Sequence, residues 1–576
     1  MSLQTRRVVN DSLPGSIFVV LLLIGIGVAR IVLTYQVFTQ TWDEPFHIAC
    51  GVRWLHGAFT GCLEQPPLAL VAAGIGPYLD GAPDPGLASP WDEGNAILYN
   101  RNTYMRNLTL ARVGILPFFI IASVVLWLWT KTVFGEPAAL LATLLFTSLP
   151  PVLAHAGLAT TDMAFTACFL SAVYSFTSWL RQPNLHRGLL LGLCLGFAVL
   201  SKFSTFVFLP ACVFGILVLL WLTKPDFTTT KATIRHLMRS VLVSFMLASA
   251  LIWAGYRFSA SPLSNPKDRP QRVVRLLGVD RLFGEQSKLR ELVSRLIEAP
   301  IPGSHLLEGL RVLRAHNAVG HNAYLLGENR RDGWWYFFIV VLGVKTPLAF
   351  LLLFFLGVVY LLRERTHNNW EQLVPIVCVI SMLICTAPSR LNLGVRHLLA
   401  IYPMLSMVAG YGLTVLFRPD RRLVLVAAAT GLLLWYSFSS TLAHPDYLTY
   451  FNELAGGKPE QILVGSDLDW GQDLQRLSES LRELGIKDIK LAYFGTADVS
   501  RHGLPHFQPL LPYQPTDGWI AISESALKIN GDVIARRMGR SVRAFDWLEN
   551  YKPVRHIGRS IRLYYLPETE IIKQNH

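Results

Sequence analysis

Charged residues are scarce in this chain: Asp, Glu, Lys and Arg together make up 16% of its 576 residues, whereas 52% are hydrophobic. Soluble domains carry roughly 25% charged residues, so the composition excludes an ordinary soluble protein of this length. The 15 Trp and 31 Phe residues point the same way. Composition therefore predicts a polytopic membrane protein.

Common enzyme signatures are also missing. The sequence has no Walker phosphate loop, no Gly-rich dinucleotide loop after a strand, no CxxC or HExxH pattern and no internal repeat. Its chemistry must therefore come from scattered polar residues, and we assign no metal ligands and no cofactor. Whether a divalent cation assists this chemistry is a question that the sequence leaves open.

Cysteine is rare as well, with seven residues. In apolar runs a cysteine acts as a small hydrophobic residue by default, and this applies to Cys168, Cys194, Cys212, Cys378 and Cys385. Cys50 and Cys62 share the first polar segment and could pair in an oxidising compartment. The sequence does not decide whether they do.

Long apolar runs are the most prominent feature of the sequence. A bilayer core about 30 Å thick needs roughly 20 apolar residues per helix. Runs of this kind predict about eleven transmembrane helices, near 16–37, 110–130, 137–154, 158–180, 187–202, 205–223, 239–257, 334–362, 373–389, 397–416 and 422–441. The first run lacks a cleavage site, so we expect a retained anchor instead of a removed signal peptide.

Basic residues cluster in alternate loops, which predicts that these loops are cytoplasmic. The net charge of +13 then reflects topology and contact with anionic lipid, and no nucleic-acid partner is predicted. Three polar segments fall on the outer face, at 38–109, 258–333 and 442–576. We therefore divide the chain into a membrane module, 1–441, and an outer domain, 442–576.

Two of these outer segments contain recognisable elements. The apolar stretch 66–79 is too short to span a bilayer and is expected to lie in the interface. Residues 275–299 show helical periodicity and are expected to pack above the site or to bind the acceptor. In 442–576, "LQRLSESLRELGI" predicts a helix, and "IKLAYFG", "GWIAISESAL" and "IRLYYLP" predict strands of a small α/β domain.

The topology gathers acids and bases on the outer face: Asp43, Glu44, Asp162, Lys202, Arg390, Arg396 and His397. Ionisable groups at membrane depth are costly and need partners or water. Simpler roles remain open at this point. Asp162 and Lys202 could form a structural ion pair, and Asp43 could cap a helix beside an interfacial Trp42. The basic residues near position 396 could contact lipid headgroups.

The stretch "TWDEPFH", followed by "EQPPLAL", resembles the first-loop acidic motif and the "HPPL"-type motif of family 39 glycosyltransferases. This family belongs to the GT-C superfamily, which includes protein O-mannosyltransferases and aminoarabinose transferases. Further stretches resemble the family in order: "GLATTDMAF", "LGLCLGFAVLSKFSTFVFLP", "WWYFFIVVLGVKTPLAFLL", "LNLGVRHLLAIYP" and "HPDYLTYFNELAGG" with "SDLDWGQDLQ". Gln65 stands where many relatives have His, which puts any role of an imidazole there in doubt.

The resemblance implies a GT-C fold and a membrane glycosyltransferase that moves a hexose or pentose from a polyprenyl-phosphate donor to an acceptor hydroxyl. An inverting single displacement on the extracytoplasmic side of a bacterial inner membrane is expected. Asp43 matches the catalytic base, Glu44 supports it, and Asp162 contacts the sugar or the surroundings of Asp43. The acceptor can be a protein, a lipid-linked glycan or an envelope polysaccharide, and protein O-mannosyl transfer is the narrower version.

A departing lipid phosphate needs cations, and the arginine fork binds two phosphate oxygens. We assign this contact to Arg396, followed by Lys202, His397, Arg390 and Lys345, although Lys345 could also snorkel. Acceptor or sugar contacts are assigned to Trp42, Gln65, Asp467, Asp469 and Trp470. The "SDLDWGQD" stretch with its Trp is interpreted as a sugar-binding loop, with a calcium loop or a capped turn as alternatives.

Two other classes of protein share some of these features. A transporter or flippase of polyprenyl-linked glycans would also have many helices and buried charges. Against it, the sequence shows no paired halves and its polar residues crowd one face. A receptor anchored by its helices would not explain Asp162 and Lys202 at membrane depth.

Overall fold

The computed structural model describes residues 13–58, 61–223, 231–262, 300–363 and 369–569. The helix predicted at 275–299 lies outside these residues. Two parts follow each other along the described chain: a large helical part, and a five-stranded sheet near the C-terminus.

The helices follow the apolar runs closely. Their bounds are α1 Leu13–Val32, α2 Glu44–His56, α3 Pro67–Leu79, α4 Pro90–Leu98, α5 Tyr104–Val113, α6 Leu116–Phe134, α7 Glu136–Thr147, α8 Pro150–Ala156, α9 Asp162–Arg181, α10 Leu185–Ser201, α11 Thr205–Thr223, α12 Lys231–Gly255, α13 Ser304–Val319, α14 Phe337–Lys345, α15 Leu348–Arg363, α16 Val374–Thr386, α17 Tyr402–Leu416, α18 Leu423–Leu442, α19 Leu474–Glu483 and α20 Gly531–Arg537. A 3-10 helix, Val395–Ile401, leads directly into α17.

Each of the eleven predicted runs overlaps a helix, but the predicted number of spans is not confirmed. Within the described ranges, seven helices are long and apolar enough to cross a membrane, or up to nine if each bent pair counts as one span. The α7–α8 pair bends by 63° and the α14–α15 pair by 112°. Pro150, Pro151 and Pro347 lie at these breaks, where proline cannot continue the backbone hydrogen bonding. The remaining runs form the shorter apolar helices α10 and α16.

The helical part is organised around α17. In the 18-residue apolar stretch of Val395–Leu416, 94% of the residues are buried, whereas in the corresponding stretches of α1 and α18, at the edge, 28% and 17% of the residues are buried. Close contact in the centre depends on glycine: a Cβ atom on Gly357 of α15 would lie 2.1 Å from the carbonyl oxygen of Val408. Small residues of this kind let membrane helices approach each other, while apolar side chains on α1 and α18 are left for lipid.

The first polar segment folds onto the end of the bundle. As expected, a helix begins after Asp43 and a second one, α3, covers the stretch predicted at 66–79. A Cβ atom on Gly51 of α2 would lie 1.9 Å from the carbonyl oxygen of Leu70, so the two helices touch backbone to backbone. Cys50 and Cys62 form a disulfide beside this contact. The interfacial location of α3 stays a prediction.

The C-terminal sheet confirms the predicted α/β fold of this region. The strands of the described chain are β1 Ala260–Ser261, β2 Ile301–Pro302, β3 Ala323–Leu325, β4 Glu328–Arg330, β5 Asp488–Ala492, β6 His506–Pro509, β7 Gly518–Ser523, β8 Arg555–Ile557 and β9 Ile561–Leu566. The order in the C-terminal sheet is β6-β5-β7-β9-β8; β5 is parallel to β6 and β7, and β9 is antiparallel to β7 and β8. Leu474, Leu477 and Leu481 of α19 pack on one face of this sheet.

A connecting segment joins the helical part to this sheet. Ala443, Tyr447, Tyr450 and Leu463 belong to the hydrophobic core of the helical part, whereas the core under the sheet begins at Leu474. The division of the chain at residue 442 stays a prediction. The packing adds that the connecting segment is attached to the helices.

Candidate active site

Two segments far apart in sequence lie side by side at the end of the bundle. The backbone N–H of Thr39 donates to the carbonyl oxygen of Gln472 at 3.0 Å, and that of Trp42 donates to the carbonyl oxygen of Trp470 at 3.0 Å. The Trp42 ring stacks on Phe494, with centroids 4.7 Å apart. The acidic loop after α1 therefore depends on the "SDLDWGQD" stretch for its position.

Asp43 lies at the start of α2, but it does not act as a helix cap. Its side chain makes no capping hydrogen bond; instead its carboxylate accepts from Nη1 of Arg396 at 2.5 Å. The guanidinium of Arg396 also lies over the Trp470 ring, 4.3 Å from its centroid. The side chains of Asp43 and Arg396 remain 25% and 11% exposed, so a ligand can reach the pair.

The electrostatic surroundings keep Asp43 ionised. Burial acts to raise the pKa of Asp43, but the Arg396 guanidinium and, to a smaller degree, His47 act against it, and the pKa lies below its ordinary value. An ionised carboxylate can accept a proton from a substrate at neutral pH. It is also a weak base for as long as Arg396 is bound to it.

A second ion pair lies nearby. Asp162 begins α9, and its carboxylate accepts from the ammonium group of Lys202, the residue after α10, at 2.6 Å. Thr160 donates to the other oxygen of Asp162 at 3.1 Å. Arg396 interacts electrostatically with both Asp43 and Asp162. The pairing considered as a structural alternative is therefore present, and it is in the same cluster as Asp43.

Glu44 differs sharply from its neighbour. Its carboxylate is fully buried and accepts from Nε and Nη2 of Arg112, at 2.8 and 2.9 Å. The backbone N–H groups of Thr41 and Ala159 donate to it as well, at 2.8 and 2.9 Å. Glu44 thus ties the start of α2 to α5 and to the loop before α9, and its carboxylate has no surface open to a substrate.

Arg396 is positioned by the C-terminal connecting segment. The backbone N–H of Val395 donates to a carboxylate oxygen of Asp467 at 3.0 Å. Gly394 before it has a φ of +84°, and a Cβ atom there would lie 2.5 Å from Asp467. Lys345 in turn donates to the carbonyl oxygens of Asp467 and Leu448, at 2.6 and 2.8 Å. Asp467 and Lys345 are therefore placed to support the turn that carries Arg396.

The other predicted site residues are spread around this cluster. His397 interacts electrostatically with Lys202, Arg396 and Asp162, so it belongs to the cluster. Arg390 lies on the surface and donates to the carbonyl oxygen of Ala318 at 3.2 Å, at the end of α13. Gln65 lines a small cavity with Cys50, Cys62 and Tyr256 beside the disulfide. The structure thus brings His397 to the pair, and it places Arg390 and Gln65 elsewhere.

The tryptophan of "SDLDWGQD", which the sequence assigns to a sugar-binding loop, is buried, and its contact with a sugar or acceptor stays a prediction. Trp470 is 4% exposed because it lies between Arg396 and the helical part. Asp469 is also buried and accepts from the backbone N–H of Ser525 at 2.6 Å. Burial raises the pKa of Asp469 to about 7. Among the described residues, no group of three or more His, Cys, Asp or Glu side chains could hold a metal ion.

Sequence reasoning did not assign two histidines of this cluster. His47 lies one turn after Asp43 on α2, and its Nδ1 is 3.0 Å from the carbonyl oxygen of Ala159; the spacing of four residues could have indicated it. His155 on α8 lies seven residues before Asp162, directly after a predicted membrane run, and ionisable groups at such depth are candidates by default. Arg112 carried the same signal, because it lies inside the predicted run 110–130.

Part of the chain matches a known protein family, and the fold is similar to that of solved structures. Residues 106–253, which include Asp162 and Lys202, match the model of the dolichyl-phosphate-mannose-protein mannosyltransferase family. A search of the curated proteins finds no match. Among solved structures, the oligosaccharyltransferase of Archaeoglobus fulgidus, tethered to an acceptor peptide with the NVT sequon, is similar at 13% identity and a TM-score of 0.51, over 93% of this chain and 72% of its own.

A second solved structure is similar over nearly its whole length. ArnT from Cupriavidus metallidurans, bound to undecaprenyl phosphate, has 11% identity and a TM-score of 0.45, with 94% of this chain and 97% of its own covered. The likeness to the archaeal enzyme shows a common fold.

Proposed function

We propose that this chain, an integral membrane protein of the GT-C glycosyltransferase superfamily, transfers a sugar from a polyprenyl-phosphate donor to an acceptor hydroxyl. The observation that supports this best is the Asp43–Arg396 pair. It is an ionised carboxylate in contact with a guanidinium, at 2.5 Å, and both side chains are partly open to a ligand. A proton acceptor beside an anion-binding group is what this reaction needs.

The reaction balances with these groups. The acceptor oxygen forms a bond to the anomeric carbon of the sugar while the bond from that carbon to the phosphate oxygen breaks. The hydroxyl proton passes to Asp43, and the electron pair of the broken bond leaves with the lipid phosphate. Because the acceptor oxygen attacks the face of the anomeric carbon opposite the departing phosphate, a single displacement inverts the anomeric configuration.

Arg396 links the two halves of this reaction. Its guanidinium carries five N–H donors in a rigid fork that suits phosphate oxygens. When the donor phosphate takes part of these hydrogen bonds, the hold of Arg396 on Asp43 weakens and Asp43 becomes a stronger base. Lys202 and His397 are the next phosphate contacts, while Asp162 contacts the sugar or holds Lys202.

The donor class is supported by the family match, whose description names a dolichyl-phosphate mannose. A donor of this kind keeps its polyprenyl chain in the bilayer, so the site must lie at the membrane surface. The Cys50–Cys62 disulfide in the first polar segment is typical of an oxidising compartment. This supports an extracytoplasmic site, which we assign to a bacterial inner membrane.

Protein O-mannosyl transfer is the narrower form of the proposal, and the description of the matched family favours it. A lipid-linked glycan or an envelope polysaccharide as acceptor would use the same groups. A panel of acceptors separates these forms.

The test uses the purified full chain in proteoliposomes with a panel of polyprenyl-phosphate sugars and a panel of acceptors (a peptide with serine and threonine, a lipid-linked glycan and an envelope polysaccharide), and measures release of polyprenyl phosphate. We expect turnover by the wild type and a loss of 10²- to 10⁴-fold, roughly the worth of a general base, in Asp43→Asn. Asp80→Asn is the matched control, because Asp80 is 26% exposed and also pairs with an arginine, Arg106.

Two results would contradict the proposal. One is the absence of turnover with every sugar of the panel together with transport of the intact donor, which would favour a flippase. The other is equal turnover in Asp43→Asn and Asp80→Asn.

A further inference from the structure

His155 is a buried histidine without a hydrogen-bond partner. The residue lies on α8, in the bent pair α7–α8, and is 1% exposed. Among the described residues, neither its Nδ1 nor its Nε2 has a hydrogen-bond partner. A buried polar group left without a partner costs roughly 1 to 3 kcal/mol, so this ring requires an explanation.

The neighbouring charged groups make the contrast clear. Asp162 is bonded to Lys202 and Asp43 to Arg396, at 2.6 and 2.5 Å. In the described part of this cluster, the ring of His155 is a buried polar group with no hydrogen-bond partner at either nitrogen. Because buried polar groups are nearly always hydrogen-bonded, an unpaired ring inside a cluster of paired charges indicates a binding partner from outside the chain.

Trp470 connects His155 to the proposed reaction. The imidazole meets the indole edge to face, with centroids 6.3 Å apart and an angle of 65° between the planes. The guanidinium of Arg396 lies over the same indole at 4.3 Å. His155 and Arg396 are therefore neighbours around one aromatic ring.

Charged groups from four different elements act on the ring. His155 interacts electrostatically most strongly with Asp162 at the start of α9, and then with three cations: Arg396 before α17, Lys345 at the end of α14 and Lys202 after α10. Because the cations outnumber the carboxylate, this position disfavours a further cation and favours an anion. The missing partner of His155 is therefore expected to carry negative charge.

We propose that His155 donates a hydrogen bond to a phosphate oxygen of the lipid-linked donor, and to the polyprenyl phosphate that remains after transfer. This inference rests on the proposed function and assigns a further donor contact within it. A neutral imidazole carries one N–H donor and one acceptor, so one ring nitrogen suffices for the phosphate. The indole of Trp470 fixes the ring while Arg396 binds the same phosphate from the other side.

Binding of polyprenyl monophosphate tests the proposal without a sugar. The affinity of the purified full chain for polyprenyl monophosphate and for the uncharged polyprenol is measured by native mass spectrometry in wild type, His155→Phe and His155→Gln. A hydrogen bond to a charged group is worth about tenfold to a hundredfold in affinity. We expect His155→Phe to lose this amount for the phosphate alone, and His155→Gln, which keeps an N–H donor, to recover part of it.

The outcomes separate the two proposals. If wild type and His155→Phe bind polyprenyl monophosphate equally well, the role of His155 is wrong and the donor class stands. If both variants lose polyprenol and polyprenyl monophosphate in the same proportion, His155 holds only a structural water or the fold. If the wild type binds polyprenyl monophosphate no better than polyprenol, the proposed donor class fails, and the role of His155 fails with it. The exposed His186, changed to Phe, is the control for substitution of a histidine.

Discussion

The carboxylate of Asp43 meets the guanidinium of Arg396 at 2.5 Å, although 353 positions separate the two residues in the chain. One belongs to the loop after the first helix and the other to the turn before α17. Their contact has measurable consequences for pH dependence, and the elements that hold it have consequences for stability.

Removing Arg396 should shift the pH dependence of catalysis. Arg396 holds the pKa of Asp43 below its ordinary value against the effect of burial, so in Arg396→Gln this pKa rises. Because the base must be ionised, the acid limb of kcat/KM moves to higher pH, and the maximum falls by about 10²- to 10³-fold with the loss of a phosphate contact. Arg106→Gln, which unpairs Asp80, should leave the limb in place. If the acid limb does not move in Arg396→Gln, the Asp43–Arg396 pair does not determine the pKa of the catalytic base.

Glu44→Gln should destabilise the protein strongly. The change leaves Arg112, which is 1% exposed, as a buried charge without its counter-ion, at a cost of about 3 to 5 kcal/mol. The unfolding temperature can be followed with a thiol dye, because Cys168, Cys212 and Cys378 are buried until the chain unfolds. Glu328→Gln breaks a pair whose side chains are 61% and 48% exposed and should cost under about 1 kcal/mol. Equal shifts in the two variants would refute a structural role of Glu44.

Gly394→Ala should impair activity as well as stability. The φ of +84° is strained for alanine, and its Cβ atom would lie 2.5 Å from Asp467, which holds the turn of Arg396. Since displacement of a catalytic group by about 1 Å can cost roughly 10²-fold, we expect a fall in kcat of at least about tenfold. Gly456→Ala is the matched control, because Gly456 has a φ of +62° and nothing within 4 Å of its Cβ position. Steady-state kinetics should show normal kcat there.

Asp469 should make stability depend on pH in the neutral range. Burial raises its pKa from 3.8 to about 7, so the folded state holds a proton that the unfolded state has lost. Its contribution to stability is complete below pH 3.8 and is lost as the pH rises to about 7. The advantage of wild type over Asp469→Asn in unfolding temperature should therefore shrink from pH 5 to pH 8. Asp517→Asn, at a 53% exposed carboxylate that pairs with Lys490, should give a constant difference; a constant difference in Asp469→Asn would contradict the assignment.

Much of the fold could be predicted because its signals are local. Apolar runs mark the helices, Pro45 marks the start of α2, and alternation marks strands such as Gly518–Ser523. The number of spans was harder, since a proline inside an apolar run bends a helix by an angle that depends on its neighbours. Periodicity predicts a helix or strand and the face that it buries, but it does not show which other element packs against that face.

The candidate site shows the same limit. The topology and the family resemblance brought Asp43, Asp162, Lys202 and Arg396 to one face, and the structure groups them. The pairing of Glu44 with Arg112, and the burial of Trp470, depend on which distant segments meet. No pattern near either residue carries that information.

The backbone pairing of Thr39 and Trp42 with Gln472 and Trp470 also bears on the order in which the protein is made. The ribosome produces the Asp43 loop early and the segment that holds it more than four hundred residues later, after all of the described apolar spans have been synthesised. A nascent or truncated chain can therefore insert its helices while its site is unfinished. The proposed sugar transfer therefore has to wait until synthesis has passed residue 472, because a shorter chain lacks the segment that holds the Asp43 loop.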